Sequence, residues 1–275
     1  MTSNPENSRV STADRALGIL AALGRGSLAR ARIVLTIGAL ALGVFREMVQ
    51  ATSWRRPVRA EFARALRQGV GGGLLTTVVA AALIGIAMVY QALFWLSEAG
   101  QERLIGSILV TVLVREVAPL IVGLILLGRS GIVTAAEISA LQSGDQVVRL
   151  EAQGIDPFLL LVLPRATAFA LVSYTLGVVF VLATMAISYV AGNVGGGVRM
   201  SLWELLATVL SEMRPADFAV FPIKMLAIGL LVALTSIVTG LGTGSGGDTG
   251  NFLPRTFVRG TLAVMLTSVT LSLAI

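Results

Sequence analysis

The chain has 275 residues, of which 55% are hydrophobic and 13% are charged, and its formal net charge is +6. Soluble domains carry about 25% charged residues, so this composition argues against an ordinary soluble domain. The chain has no cysteine and no histidine, which excludes disulfides, Cys/His metal sites, haem ligation by histidine and His-based catalytic triads.

Long uncharged runs are the strongest pattern in the chain. Residues 68–97, 166–198 and 225–247 contain no Asp, Glu, Lys or Arg. A bilayer core about 30 Å thick needs about 20 helical residues, so each run is long enough to cross it. The alternative is a large soluble helical protein, but core helices rarely run so far without a charge. The pattern therefore predicts an all-α integral membrane protein.

The first 67 residues are rich in arginine. They hold eleven of the 21 basic residues, and the longest apolar stretch among them, 33–45, is too short to cross a bilayer. We expect residues 1–67 to form a cytoplasmic tail and interfacial elbow helices that face anionic headgroups. A nucleic-acid-binding arm is the alternative, but no set of stacking aromatics accompanies the arginines, so no nucleic-acid partner is expected.

Residues 68–275 are predicted to form one membrane domain of five spans. The expected spans are 70–96, 104–128, 160–192, 219–241 and 256–275. A short amphipathic helix is expected within 193–218. The arginine-rich N-terminus predicts a cytoplasmic N-terminus by the positive-inside rule, and the mostly polar stretch 129–157 then lies in a cytoplasmic loop.

The peptide LQSGDQVVRLEAQGIDP, residues 141–157, has the chemistry of a self-contained helix. Ser143 and Gln146 fit a capping box, and Gly154 fits a helix stop. Asp145 and Arg149 are an acid-then-base pair at i, i+4. We predict a helix over 143–154. Val147, Val148 and Leu150 give it an apolar side, so it is either a plain connector or a docking helix for a cytoplasmic protein.

Arg115 and Glu116 fall near the middle of the second predicted span. A charge inside a membrane is costly and marks a pathway or a paired site. Adjacent helical residues point about 100° apart, so each charge needs its own partner. Arg259 is the expected partner of Glu116, which would join spans 2 and 5. Arg115 is expected to meet a lipid phosphate or a carboxylate of a partner subunit.

Lys224 is the single lysine, and no Gly-x-x-x-x-Gly-Lys precedes it. A P-loop for ATP is therefore absent from the sequence. We expect Lys224 to snorkel from the outer end of span 4 to the headgroups, with contact to a lipid phosphate as the alternative. The glycine-rich stretch 240–251 is expected to be a cytoplasmic turn.

Residues 115–165 resemble the signature region of the MlaE/YrbE family of ABC-transporter permeases. The matching elements run in order along this segment: Arg115, Glu116 and Pro119; Gly128, Arg129 and Gly131; Ala136, Glu137 and Ile138; Asp145 and Gln146; Gly154, Asp156 and Pro157; Pro164 and Arg165. The chain departs from the family pattern at Val148 and Arg149, at Ala92 and Leu93, and in lacking an acid over 260–275.

The resemblance implies an elbow helix and five spans that work as a homodimer and move phospholipid between the inner and outer membranes of a bacterium. The implied partners are a cytoplasmic ATPase that binds ATP and Mg²⁺, a periplasmic MCE-domain lipid-binding protein and, in some systems, a STAS-domain subunit. No catalysis and no cofactor are expected in this chain. The implied ATPase-coupling residues are Glu137, Asp145, Arg149, Glu151, Gly154 and Asp156. The implied lipid-binding residues are Arg115, Glu116, Val89, Leu93 and Arg259.

Two other classes of function remain as alternatives. A stand-alone secondary transporter or channel would favour several intramembrane acids and inverted repeats, whereas the sequence offers one intramembrane Glu and no repeat. An intramembrane enzyme would need a nucleophile or an acid pair, and the predicted spans contain neither cysteine, histidine nor a clear pair of carboxylates.

Overall fold

The structure is a computed structural model, and it describes residue 28 and residues 31–99, 109–194, 201–242 and 252–273. Within these ranges the chain is helical and contains no strand. The helices are α1 (31–49), α2 (Arg56–Ala99), α3 (109–143), α4 (Gln146–Ala152), α5 (158–194), α6 (Leu202–Glu212), α7 (Pro215–Leu241) and α8 (Phe252–Leu273). Most of the N-terminal tail and most of the glycine-rich turn, 243–251, lie outside the described residues.

Five of these helices are long and apolar enough to cross a membrane. The crossing segments are Arg56–Met88, Val110–Ser143, Phe158–Ala191, Pro215–Leu241 and Leu253–Leu273. They belong to α2, α3, α5, α7 and α8. The predicted all-α membrane class with five spans is therefore confirmed.

Several predicted span boundaries are wrong. Helix α2 begins at Arg56 rather than 70, so residues 56–67 belong to the first membrane-crossing helix and not to the predicted elbow. Helix α3 does not end at 128 but continues to Ser143, because the polar residues after 128 that face the bundle are small and are buried within it: Ser130, Thr134 and Ser139. Helix α7 begins at Pro215 rather than 219. Proline suits the first position of a helix, where its missing N–H costs nothing.

Glycines allow α2 and α5 to pack closely side by side. A Cβ at Gly69 would meet Val172, one at Gly73 would lie 2.7 Å from Leu176 Cδ1, and Gly85 faces Ser188. The contacts rise together along both helices, so α2 and α5 run parallel. Ser188 Oγ also donates a hydrogen bond of 3.2 Å to the carbonyl of Gly85. Such small-residue contacts are typical of packed membrane helices.

Helix α7 lies at the centre of the bundle and contacts α3, α5 and α8. Gly229 faces Phe169 and Ser173 of α5, and Gly240 faces Ala135 of α3. From the order of these and the neighbouring glycine contacts, α7 runs parallel to α3 and antiparallel to α5. We call the end of the bundle that carries α4 the near end. The opposite end, where α5 ends and where α3 and α7 begin, is the far end.

Candidate functional site

Four charged side chains and a serine gather inside the spans toward the far end. They are Arg115 and Glu116 of α3, Asp217 and Lys224 of α7, and Ser272 of α8. We call this group the far-end cluster. Its members come from three helices. The two that are farthest apart in the sequence, Arg115 and Ser272, are separated by 157 positions. The fold therefore assembles the cluster, and no local motif contains it.

Within the chain, Arg115 of α3 pairs with Asp217 of α7, a partner that the sequence did not predict. Arg115 Nη2 lies 2.7 Å from Asp217 Oδ2, and only 2% of the Asp217 side chain is exposed. The same oxygen accepts a 2.9 Å hydrogen bond from the backbone N–H of Arg214. Asp217 therefore caps the first turn of α7 while it neutralises a charge on α3. The negative side chain also suits the positive end of the α7 dipole.

Lys224 does not snorkel to the headgroups as expected, because only 3% of its side chain is exposed. Its Nζ lies 2.5 Å from the carbonyl oxygen of Arg115, 2.7 Å from Ser272 Oγ and 3.4 Å from Glu116 Oε1. Proline at 119 has no N–H, so the carbonyl of Arg115 lacks its usual helical donor at i+4. Lys224 supplies that donor from α7, which explains why an ammonium is stable at this depth.

Glu116 pairs with Lys224 and not with Arg259 as expected. Ser272 Oγ donates a hydrogen bond to Glu116 Oε1, and Ser268 Oγ lies 3.5 Å from Oε2. Arg259 is exposed and sits 13 residues before Ser272, or about 20 Å along α8. The prediction that each charge has its own partner is confirmed, whereas the predicted pair of Glu116 with Arg259 is wrong.

The start of α3 is a π-helical segment, Leu109–Val117, that contains both charged residues of the cluster. A π-helix is rare and appears often at functional sites. In the wider π-helical turn, the regular α-helical hydrogen bonds are not formed around Arg115 and Glu116. Pro119 has no N–H and therefore cannot donate the next one. A second π-helical segment, Leu127–Gly131, carries Arg129.

A cavity of about 250 Å³ opens beside the far-end cluster. Its lining residues are Thr111, Val114, Arg115, Glu116, Arg214, Asp217, Val220, Phe221, Lys224 and Ser272. Three cations and two anions line it, together with apolar side chains. Arg115 Nε is buried and has no hydrogen-bond partner within the described part of the chain. The cavity can hold a small polar group, but not a whole lipid.

At the near end, α4 is shorter than predicted and begins differently. Its bounds are Gln146–Ala152, not 143–154. The predicted capping box is wrong, because Ser143 is the last residue of α3. Its Oγ donates a hydrogen bond of 2.7 Å to the carbonyl of Ser139. Asp145 makes the turn instead, with a left-handed φ of 55°.

The end of α4 is as predicted. Gly154 has a φ of +74°, the conformation that favours glycine after a helix. The Ile155 N–H donates a hydrogen bond of 3.0 Å to the carbonyl of Leu150, and this bond closes the turn. Asp156 Oδ1 then accepts a 2.9 Å bond from the N–H of Phe158. Gly154 and Asp156 therefore fix the angle between α4 and α5.

The two sides of α4 differ in their surroundings. Val147 and Leu150 pack against the hydrophobic core of the bundle, so part of the predicted apolar side has a partner within the chain. Val148, Arg149 and Glu151 are exposed. The predicted ion pair of Arg149 with Asp145 is not formed; Arg149 donates only its backbone N–H to the Asp145 carbonyl. The outer side of α4 thus presents charges of both signs.

Glu137 joins the end of α3 to the start of α5. Its Oε2 lies 3.3 Å from Arg165 Nη2, and the Arg165 side chain is 10% exposed. We call this pair the near-end clasp. Helix α4 connects the same two helices in the chain. The clasp therefore holds together the two spans that determine the position of α4.

Sequence reasoning missed Asp217 and Ser272 altogether and placed Lys224 wrongly. Pro119 was the available signal, since it leaves a carbonyl without a donor at Arg115, but nothing local indicates which helix supplies the donor. The side chains of Val89 and Leu93 lie outside the described residues, although their backbone belongs to α2.

Comparison with known proteins identifies the family of the chain. The family described as Permease MlaE matches residues 62–274. The chain belongs to this family. The match begins inside α2 and ends after α8, so it includes most of the first span, the other four spans, the far-end cluster and α4.

Relatives of this MlaE-family permease come from plastids and bacteria. The chloroplastic protein TRIGALACTOSYLDIACYLGLYCEROL 1 of Arabidopsis thaliana is 26% identical over 203 residues, or 74% of this chain and 56% of the relative. A probable ABC transporter permease protein of Rickettsia prowazekii is 27% identical over 169 residues, or 59% of this chain and 62% of the relative.

A third relative has a name that states its substrate. It is the intermembrane phospholipid transport system permease protein MlaE of Haemophilus influenzae, which is 27% identical over 108 residues, or 39% of this chain and 41% of the relative. This permease therefore spans between about two fifths and three fifths of the length of the three relatives.

Proposed function

We propose that the chain is the membrane subunit of an ABC transporter that moves phospholipid between the inner and outer membranes. The observation that carries the proposal is the far-end cluster, which holds charges of both signs inside the spans and beside a cavity. A charged side chain inside a membrane costs free energy, and charges found there are typical of a substrate pathway.

Phospholipid fits the chemistry of the cavity. A phosphate oxygen is a good acceptor for a guanidinium, and Arg115 Nε is buried without a partner in the described structure. Glu116 is 41% exposed and offers an acceptor to a cationic headgroup. We assign Arg115 and Glu116 to lipid binding, and we add Lys224 and Asp217 as the residues that hold them. Val89, Leu93 and Arg259 remain family-based candidates for contact with the lipid.

ATP hydrolysis belongs to a partner subunit in this proposal, since the sequence has no P-loop. The partner ATPase binds ATP and Mg²⁺ and docks on α4, the coupling helix, whose exposed side carries Arg149 and Glu151. The near-end clasp of Glu137 and Arg165 then passes the movement of α4 to α3 and α5. Asp145, Gly154 and Asp156 set the angle at which α4 leaves and rejoins the spans.

The remaining partners and the location follow from the family. We propose a homodimer in the bacterial inner membrane, with a periplasmic MCE-domain lipid-binding protein and, in some systems, a STAS-domain subunit. The N-terminal segment, including the exposed apolar side chains of α1 such as Leu35 and Leu42, is the interfacial elbow. The near end of the bundle is then cytoplasmic and the far end periplasmic.

The orientation is testable because the chain contains no cysteine. Single substitutions Gln153→Cys and Glu212→Cys place one thiol at an exposed position of each end. In spheroplasts treated with a membrane-impermeant maleimide, we expect the Glu212→Cys variant to be labelled and the Gln153→Cys variant to be labelled only after lysis. The reverse pattern would invert the proposed topology.

Docking on α4 is tested by exchanging its exposed charges. We expect the double substitution Arg149→Glu and Glu151→Arg to remove the ATPase from the purified complex or to abolish lipid-stimulated hydrolysis, because reversed charges repel their partners across the interface. Both side chains are exposed, so the bundle should still fold.

Gln153→Ala is the matched control for this exchange, since it changes an exposed, uncharged position next to α4. It should leave assembly and hydrolysis unchanged. Intact assembly and normal hydrolysis in the double variant would mean that α4 is a connector at those positions. If no ATPase accompanies the wild-type chain either, a stand-alone secondary transporter becomes the better account.

A further inference from the structure

Helix α6 connects α5 and α7 at the far end and has two different faces. It begins with a capping box in which Ser201 Oγ accepts a 3.2 Å bond from the Glu204 N–H and Glu204 Oε2 accepts a 2.6 Å bond from the Ser201 N–H. Val209 is buried against the first turns of α3 and against Met185 of α5. The helix is therefore held on the bundle by one face.

A second face of α6 is apolar and exposed. Trp203 is 77% exposed and Leu210 is 53% exposed, and a spacing of seven residues puts them on the same side of the helix. Glu204 and Ser211 are exposed one position further along the chain, so they form a polar face about 100° away. A helix in water would not keep an exposed tryptophan and leucine together beside a polar face without something to cover them.

Helix α6 leads directly into α7, whose first turns also expose apolar side chains. Phe218 and Ile223, in the first turns of α7, are each 55% exposed. Helix α7 is one of the spans, and its outward apolar side chains face lipid. Only residues 213–214 separate α6 from α7, and Val209 packs in one apolar cluster with Phe221 of α7. Helix α6 therefore lies beside the lipid-facing span at the level where that span begins.

We propose that α6 lies in the headgroup layer of the membrane at the far end, with Trp203 and Leu210 inserted at the boundary between headgroups and acyl chains. Tryptophan is favoured at this boundary because its ring is apolar and its N–H finds a polar partner. The polar face with Glu204 and Ser211 points to water. The occupant of the apolar face is thus the bilayer itself, and this holds whichever substrate the permease carries.

Tryptophan fluorescence tests the proposal directly. The chain has three tryptophans, so Trp54→Phe with Trp95→Phe leaves Trp203 as the single emitter. The purified full chain, without partner subunits, is placed in phosphatidylcholine nanodiscs whose lipids are brominated either near the acyl carbonyls or near the bilayer midplane. We expect strong quenching by bromine near the carbonyls, weaker quenching by bromine at the midplane, and little quenching by aqueous acrylamide.

Two results would overturn the proposal. Strong acrylamide quenching with no effect of brominated lipid would mean that the apolar face of α6 stands in water. Shielding of Trp203 that appears only when the periplasmic MCE-domain protein is added would assign the face to that protein instead of the bilayer.

A second measurement avoids changing the tryptophans. Leu210→Cys and Ser211→Cys are neighbours on different faces in a chain that has no other cysteine. In the same nanodiscs, we expect a water-soluble maleimide to label the Leu210→Cys variant several-fold more slowly than the Ser211→Cys variant. Equal rates would contradict insertion of the apolar face, even if the single-tryptophan variant fails to fold.

Discussion

A Lys224→Met substitution is expected to destabilise the bundle by about 3 kcal/mol and to abolish lipid transfer. The ammonium is the donor to the Arg115 carbonyl, to Ser272 and to Glu116. Methionine has a similar length but no charge and no donor. Its introduction leaves a carboxylate unpaired and a backbone carbonyl unsatisfied inside the spans. Thermal unfolding of the purified chain in detergent measures the loss of stability.

A second substitution separates stability from function in the same cluster. Glu116→Gln combined with Lys224→Met removes the unpaired carboxylate, and the glutamine oxygen can still accept from Ser272. We expect this double variant to regain most of the lost stability, with a remaining cost of about 1 kcal/mol from the Arg115 carbonyl. Lipid transfer should stay absent, because the cluster lacks the charged pair of Glu116 and Lys224. Recovery of transfer together with stability would mean that the pair is only structural.

Gly229→Leu is expected to prevent stable folding, and even Gly229→Ala should destabilise the bundle markedly. A Cβ at this position would lie 2.7 Å from Ser173 Cβ and 2.8 Å from Ala170 Cα, and would collide with the Phe169 carbonyl oxygen. Backbone atoms of α5 cannot move aside without shifting the whole helix, and overpacking costs about 1–3 kcal/mol even where side chains can adjust. Melting temperature and yield of the monodisperse protein measure the effect.

Gly71→Ala is the control for the close approach at Gly229. Gly71 also lies inside a helix, but an added Cβ there would meet nothing within 4 Å. Alanine favours the helix over glycine by about 1 kcal/mol, so this variant should be as stable as the wild type or more so. A normal melting temperature for the Gly229→Ala variant would contradict the close packing of α5 on α7.

The sequence predicted those parts of the fold that depend on local patterns. The uncharged runs predicted the spans, and Gly154 predicted the end of α4, because length, hydropathy and a left-handed turn are local properties. The end of α3 was predicted too early, since Arg129 and the polar residues after it looked like a loop. Their neighbours in α7 bury the small polar groups of this stretch and let the helix continue.

The far-end cluster could be predicted only in part. The cost of charge in a membrane indicated that Arg115 and Glu116 need separate partners, and that inference holds. The partners lie on α7 and α8, roughly a hundred or more positions away, and the choice of Lys224 over Arg259 depends on which end of α8 meets α3. Hydrophobic periodicity does not contain that information. Because α3 and α8 are antiparallel, Ser272 near the end of α8 contacts Glu116. Arg259, near the start of α8, lies far from Glu116.

ATP-dependent lipid transfer is the measurement that tests the central proposal most directly. The wild-type chain is co-purified with its ATPase and MCE-domain partners and is reconstituted in liposomes that contain a labelled phospholipid. Transfer of the label to acceptor vesicles is then followed with ATP and Mg²⁺, and with a non-hydrolysable ATP analogue as the control. The proposal predicts transfer that requires hydrolysis and is lost in the Lys224→Met variant. Transfer at the same rate with the analogue, or transfer driven by an ion gradient without the ATPase, would contradict it.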